Sequence, residues 1–180
     1  MSSQPDVSVV ILCYKAGEHV HERTAEMKHL LEKRGVTFEI VLVGNFNRHE
    51  RDTDQTPRFV REEADSDKRV HALTHEKQGM FGWDVRQGLA QARGRYIAFI
   101  DGDGQNPFED IIRCYDAMLD GHADMALPFR VTRNDGLNRI LISRIFNMLT
   151  RALFPRVDVY DINAKPKMFT REALSRLQLK

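Results

Sequence analysis

The sequence predicts an α/β fold with a mostly parallel central sheet and helices on both of its faces. Two apolar, β-branched runs, VSVVIL at residues 7–12 and FEIVLV at residues 38–43, are typical of strands that are covered on both sides. Segments with helical spacing of apolar residues alternate with these and with later strands along the chain. This alternation indicates that helices connect parallel neighbouring strands and pack against the sheet.

Local signals place the elements in order. A helix with inward-facing residues from Val20 to Leu31 follows the first strand and ends at Gly35. The second strand leads into a polar loop, GNFNRHERDTDQTP, and Pro57 then opens a short helix. Beyond it we predict strands at 70–73, 95–100 and 123–127, and helices at 79–92, 107–120 and 137–154.

Length and charge limit the classes of function. At 180 residues the chain is long enough for one domain with a real core, so we predict a single domain over residues 1–180. Lys and Arg total 27 against 26 Asp and Glu, which excludes the global basic field of a nucleic-acid-binding protein. Any anion must therefore be bound locally.

Cysteine usage and hydropathy predict a cytoplasmic protein. Cys13 and Cys114 show no metal-ligand spacing, so we expect two buried apolar residues in a reducing compartment. The N-terminus has no basic-then-apolar signal pattern, and no run of about 18 apolar residues could span a bilayer.

Two aspartates separated by one glycine follow the apolar strand in the segment IAFIDGDGQNP, residues 97–107. Like charges this close disfavour each other unless a cation or a polar ligand lies between them. In open parallel sheets ligands bind at the carboxyl ends of strands, where Asp101 and Asp103 are predicted to lie. A divalent ion with oxygen ligands, Mg²⁺ or Mn²⁺, would neutralise the pair and could also hold a substrate diphosphate. Gly102 and Gly104 would let backbone and ligand approach closely.

Two other structures are alternatives to a metal site for the segment DGDG. DGDG could form a turn whose aspartates cap the helix that starts near Pro107, and this alternative stays open at this point. A calcium-binding EF-hand loop fits poorly, since counting from Asp101 places Asn106 and Ile112 where glycine and glutamate are required.

Four sequence blocks in the same order, VSVVILCYKAG, FEIVLVGN, GMFGWDVRQGLAQARGRYIAFIDGDGQNPFEDI and DINAKPKMFTREAL, resemble the family 2 glycosyltransferases of GT-A fold. Within that family the chain is most similar to the polyprenyl-phosphate (dolichyl-phosphate) mannosyl- and glucosyltransferase branch, which carries a DxDxQ signature. The resemblance covers nearly the whole chain. It implies a GT-A fold and an inverting, metal-dependent transfer of a hexose from GDP- or UDP-hexose to a polyprenyl phosphate.

The resemblance also implies a donor site. It assigns the metal to Asp101, Asp103 and Gln105, with Asp103 counted among the catalytic residues, and it lines the nucleotide-sugar pocket with a larger set: Leu12, Tyr14, Glu18, Asn45, Gly79, Asp84, Asp101, Gly102, Asp103, Gln105 and Arg130. Most relatives carry paired aspartates where this chain has Gly44-Asn45, which leaves the identity of the nucleobase open.

The basic segment FRVTRNDGLNR and the residues after it are implied to bind phosphates. Arg130 and Arg139 are expected to act in catalysis, because guanidinium groups bind phosphate oxygens bidentately and keep their charge. The resemblance assigns the acceptor phosphate to Arg133, Arg139, Ser143 and Lys167. An ionised lipid phosphate needs no strong general base, and no histidine or aspartate of this sequence is a convincing one.

The predicted helix at 137–154 has a wide apolar face edged by arginines, which suits an interfacial helix on anionic lipid. We therefore expect peripheral contact with the inner face of the membrane, although the same face fits packing on the sheet or on a second subunit of a homo-oligomer. The chain also stops soon after REAL, where relatives commonly continue, so it could be C-terminally short.

Two other functions stay open. A glycosyltransferase with a saccharide acceptor would need a general base at the cleft. A nucleotide-sugar-binding domain without catalysis would agree with the altered Gly44-Asn45 and the short C-terminus. A dehydrogenase is disfavoured because no GxGxxG follows the first strand.

Overall fold

A computed structural model describes residues 4–128, 148, 153 and 163–177. Its strands are β1 (Val7–Leu12), β2 (Phe38–Val43), β3 (Val70–Leu73), β4 (Tyr96–Asp101), β5 (Met125–Ala126) and β6 (Lys167–Thr170). Its helices are α1 (His19–Arg34), α2 (Thr56–Ser66), α3 (Phe81–Gln91), α4 (Glu109–Gly121) and α5 (Arg171–Arg176), with a short 3-10 turn at Arg48–Glu50.

The strands form one six-stranded sheet in the order β3-β2-β1-β4-β6-β5. Strands β1 to β4 run parallel to one another, whereas β6 runs antiparallel to both β4 and β5. The sequence-based prediction of a mostly parallel α/β sheet is therefore confirmed. The sequence did not reveal β6 as a strand.

Two apolar layers cover the sheet. One contains inward side chains of α1, α2 and α4 packed on the β1–β2–β4 surface, including Val20, Met27, Val60 and Ile111. The other packs α3 on the opposite face, where Leu89 contacts the side chains of Val10 and Val43 among others. Helices thus lie on both faces, and the strand ends are left to form a site.

Both cysteines are buried, as the sequence predicts. Burial raises the pKa of the Cys13 thiol to about 12 and that of Cys114 to about 11, so both are inert thiols at neutral pH.

The first two helices begin and end as local rules dictate. Helix α1 ends at Gly35, whose left-handed φ of 73° lets its backbone N–H close the last turn. Helix α2 carries Pro57 in its first turn, where no backbone N–H is needed. The helix predicted at 137–154 lies outside the described residues except for Met148 and Leu153, which are helical positions.

Candidate functional site

The carboxyl ends of three neighbouring strands meet at one edge of the sheet. Leu12, the last residue of β1, pairs with Val43 at the end of β2 and with Asp101 at the end of β4. The loops that follow these strands therefore start side by side. This is the edge at which ligands bind in open parallel sheets.

The DGDG turn places its two carboxylates in different surroundings. Asp101 is half-buried, and its Oδ2 atom forms an ion pair with the Lys165 ammonium group. Asp103 is exposed, and its Oδ1 atom accepts a hydrogen bond from the Gln105 backbone N–H at 3.0 Å. Asp103 therefore faces solvent as a hard oxygen ligand, whereas Asp101 already has a cationic neighbour.

The glycines of this turn are required by contacts within the protein. Gly102 donates its N–H to the Leu12 carbonyl at 2.9 Å, and a Cβ atom there would lie 3.1 Å from that oxygen. Gly104 has φ +77°, and a Cβ atom there would meet the Arg23 guanidinium at 2.1 Å. Strand β1 and Arg23 are thus the close neighbours of the turn.

A cleft of about 420 Å³ opens between this turn and the β1–α1 loop. Cationic side chains border it on the α1 side, and Asp103 borders it on the other. Its lining residues include Tyr14, Lys15, His19, Arg23, Gly102 and Asp103. Glu22 also lines the cleft, and Lys15 and Arg23 are paired with Glu50 and Glu26, so charges of both signs meet next to the acidic turn.

Tyr14 belongs to a polar cluster at the end of β1. Its hydroxyl donates to the Glu50 carboxylate at 3.1 and 3.2 Å and accepts from the Asn47 amide at 3.0 Å. Lys15 pairs with the same carboxylate at 2.6 Å, and this contact, with weaker help from Asn47 and Tyr14, lowers the pKa of Glu50 to about 2. Since Tyr14 is 45% exposed, its ring offers an apolar face beside a fixed negative charge.

A second network buries Asn45 and Asp84 beneath the site. The Asn45 amide donates to Asp84 Oδ1 at 2.9 Å, while its oxygen accepts the His75 backbone N–H at 2.8 Å. Lys77 pairs with Asp84 Oδ2 at 2.5 Å, and its ammonium group lies 4.4 Å from the centre of the Tyr14 ring. Both polar ends of Asn45 are thus bonded within the protein, where they hold the β2 and β3 loops to α3.

Close packing of α2 explains the glycine at position 44. A Cβ atom at Gly44 would lie 2.7 Å from Val60 Cγ2 of α2, so α2 packs too closely for any side chain there. Gly79 has a similar reason, because a Cβ atom there would lie 2.8 Å from the Trp83 Cβ atom.

The residues present fit a divalent metal that is bound by protein carboxylates together with the oxygens of a diphosphate. Within residues 4–128, 148, 153 and 163–177, no cluster of three or more His, Cys, Asp or Glu side chains could hold a metal by itself. Mg²⁺ is typically bound by one or two carboxylates together with substrate phosphates and water. The exposed Asp103 and the neighbouring Asp101 supply such a ligand set.

Two further predicted residues lie within the described part of the chain, and four lie outside it. Glu18 is exposed and precedes α1, and Lys167 is the first residue of β6, with its ammonium group 5.8 Å from the centre of the Phe99 ring. Four predicted phosphate-binding residues lie outside the described part of the chain: Arg130, Arg133, Arg139 and Ser143.

Sequence reasoning missed Lys77, Glu50 and Lys165. Lys165 is separated from Asp101 by 64 residues, and its ammonium group lies 4.1 Å from the centre of the Phe81 ring at the start of α3. The one signal in the sequence was that Lys165 belongs to the block DINAKPKMF and lies two residues before the start of β6.

A family model described as Glycosyl transferase family 2 matches residues 8–177. Among curated relatives, the undecaprenyl-phosphate 4-deoxy-4-formamido-L-arabinose transferase of Pectobacterium atrosepticum is 29% identical over 147 residues, which cover 81% of this chain and 43% of that protein. The enzyme of the same name from Pseudomonas aeruginosa is 28% identical and covers 79% and 40%. The succinoglycan biosynthesis protein ExoO of Rhizobium meliloti is 30% identical over 99 residues, covering 55% and 26%. The chain thus spans less than half the length of these relatives.

Solved structures share the fold. Glucosyl-3-phosphoglycerate synthase from Mycobacterium tuberculosis, solved with Mn²⁺, UDP-glucose and phosphoglyceric acid, superposes with a TM-score of 0.67 at 18% identity. The match covers 93% of this chain and 57% of that one. A second mycobacterial protein gives a TM-score of 0.62 at 16% identity and covers 93% and 54%. These likenesses confirm the predicted GT-A fold.

Proposed function

The chain belongs to glycosyl transferase family 2, and from this premise we propose that it transfers a hexose from a nucleotide sugar to a polyprenyl phosphate, with inversion and with help from a divalent metal. The observation that carries the proposal is the meeting of the Asp101–Asp103 turn with the Tyr14–Glu50 cluster at one edge of the sheet. One part suits a metal-bound diphosphate, and the other suits a nucleobase.

For the donor we assign the nucleobase to the exposed Tyr14 ring, since aromatic rings stack on any base. The Glu50 carboxylate, fixed by Lys15 and Asn47, lies beside it as a hydrogen-bond acceptor for a base N–H. Asp101 and Asp103 would hold Mg²⁺ or Mn²⁺, with Gln105 as a further candidate ligand. A bound divalent ion would neutralise negative charge on the leaving diphosphate.

For the acceptor we propose a phosphate whose oxygen is already ionised near neutral pH. That oxygen attacks the anomeric carbon, the bond from this carbon to the diphosphate oxygen breaks, and the nucleoside diphosphate leaves with both electrons. No proton needs to be removed, so the reaction requires no general base. Arg130, Arg133, Arg139, Ser143 and Lys167 stay our predicted contacts for the two anions, and the names of the undecaprenyl-phosphate transferases support a lipid phosphate.

Exposed apolar side chains support a lipid acceptor. Met80 and Phe81, which precede and begin α3 beside Lys165 and Asp101, are 82% and 44% exposed. Met148 and Leu153, in the segment predicted as an interfacial helix, are 63% and 73% exposed. On these exposed side chains we propose a peripheral contact with lipid. None of the helices in the described part of the chain is long and apolar enough to cross a membrane.

The test is a transfer assay with radiolabelled UDP- and GDP-hexoses, with and without Mn²⁺ or Mg²⁺, and with a short polyprenyl phosphate as acceptor. We expect metal-dependent formation of a glycosyl phospholipid. A parallel reaction with a free saccharide acceptor tests the alternative enzyme. Transfer to the saccharide but not to the lipid phosphate would refute the proposed acceptor, and donor binding without transfer to either would favour a binding domain.

A further inference from the structure

Lys165 is in direct contact with the acidic turn. Its ammonium group forms an ion pair with Asp101 Oδ2, and the two side chains are only 22% and 21% exposed. The same ammonium group lies 4.1 Å from the centre of the Phe81 ring. Lys165 therefore lies between the end of β4 and the start of α3, in contact with one of the two carboxylates to which the proposed function assigns the metal.

In this position Lys165 would compete with a divalent metal for the Asp101 carboxylate. A divalent metal bound to Asp101 would have to share it with a cation that is already in contact, and like charges at this distance repel. With Asp101 engaged by Lys165, Asp103 is the carboxylate of the turn that faces solvent. Lys165 should therefore weaken the binding of a metal that arrives without a nucleotide.

When a diphosphate is present, the positive charge of Lys165 favours binding instead of opposing it. Two carboxylates and a diphosphate place several negative charges in one small region, more than one divalent ion can neutralise. An ammonium group carries three N–H donors, and lysine is a common phosphate ligand that acts as a compact point charge. Moving from the Asp101 carboxylate to a phosphate oxygen requires only rotation about the side-chain bonds of lysine.

We propose that Lys165 is a donor-binding residue that exchanges Asp101 for the diphosphate, so that metal and nucleotide bind tightly only together. This inference rests on the proposed function, since it assumes a nucleotide donor at this edge of the sheet. It adds a ligand for the donor and a reason for ordered, coupled binding. The ligand set predicted from the sequence contains no lysine for the donor.

The experiment uses the full chain and two direct binding measurements. Mn²⁺ alone is titrated by electron paramagnetic resonance of the free ion, and UDP and GDP are titrated by calorimetry in saturating Mn²⁺. For Lys165→Met we expect the affinity for Mn²⁺ alone to rise several-fold, because a competing cation is gone, and the affinity for the nucleoside diphosphate to fall about tenfold or more. Opposite changes in the two constants are not expected from simple loss of structure.

Two further variants serve as controls. Lys165→Arg keeps the charge and should hold the nucleotide affinity within a few-fold of the wild type. Lys28→Met makes the same change at a lysine of similar exposure, 19%, that pairs with Glu63 and Asp67 and with no residue of the candidate site, and it should change neither constant. Circular dichroism of each variant verifies that it is folded.

Each outcome points to one conclusion. If the wild type binds nucleotide with Mn²⁺ and Lys165→Met leaves both constants unchanged, or lowers both, the inference is wrong while the proposed function stands. If the wild type binds neither UDP nor GDP under any condition, the proposed function fails, and this inference fails with it.

Discussion

The buried ion pair between Lys77 and Asp84 fixes the floor of the proposed donor site. The two side chains are each 8% exposed and lie 2.5 Å apart, with Asn45 as an additional donor to Asp84. Removing Lys77 would leave a buried carboxylate without its counter-charge. We expect Lys77→Met to lower the free energy of unfolding by about 3–5 kcal/mol, measured by urea denaturation.

A double variant tests the physical reason. Lys77→Met with Asp84→Asn removes the unpaired charge and keeps an oxygen that can accept from Asn45, so it should recover part of the lost stability. Equal stability of the single and the double variant would contradict the assignment of the loss to an uncompensated carboxylate.

At the level of single residues, the places of Asp101 and Tyr14 could be predicted from local pattern, whereas those of Lys165 and Lys77 could not. Asp101 and Tyr14 directly follow or end strong apolar strands, so their place at the sheet edge follows from local patterning. Lys165 and Lys77 come to the site from loops, and their partners depend on which strand lies next to which. Local spacing contains no such information, and a lysine in a polar loop looks like any solvated charge.

Among the elements, α3 packs closely on the sheet. A Cβ atom at Gly88 would lie 2.3 Å from Val10 Cγ1 and 3.0 Å from Val43 Cγ2. We expect Gly88→Ala to lower the free energy of unfolding by about 1–3 kcal/mol through overpacking, measured by chemical denaturation.

Gly82 provides the matched control in the same helix. A Cβ atom there would have no neighbour within 4 Å, so Gly82→Ala should stabilise the protein by up to about 1 kcal/mol through its better helix propensity. If both alanines have the same effect, close packing of α3 on β1 and β2 is not what requires Gly88.

How well the bounds of each strand could be predicted depended on how strong and how long its apolar run is in the sequence. Strands β1 and β2 have the predicted bounds because both runs are dominated by buried apolar residues. Strand β3 also has the predicted bounds, although it contains His71 and is only partly buried. Strand β5 is only Met125–Ala126, shorter than predicted, and it lies at the edge of the sheet where few contacts support it. Strand β6 escaped prediction because KMFT is too short to show a period, and its pairing with β4 is a long-range contact.

For the molecule as a whole, the net charge is small, but charged side chains of both signs gather at the carboxyl edge of the sheet. The carboxyl edge combines the Asp101–Asp103 turn with Lys15, Arg23 and Lys165, in a chain whose net charge is +1. Opposite charges brought together in this way can hold a metal and a diphosphate at once. We therefore propose that metal and nucleotide bind together at this edge through Asp103.

Calorimetric titration of UDP and GDP with and without Mn²⁺, in the wild type and in Asp103→Asn, tests this claim most directly. Asp103 is exposed, so the substitution should leave the fold unchanged. We expect Mn²⁺ to tighten nucleotide binding by about tenfold or more in the wild type, and Asp103→Asn to abolish that gain. If Mn²⁺ does not change the nucleotide affinity, or if the gain in affinity from Mn²⁺ persists in Asp103→Asn, then Asp103 does not couple metal binding to nucleotide binding.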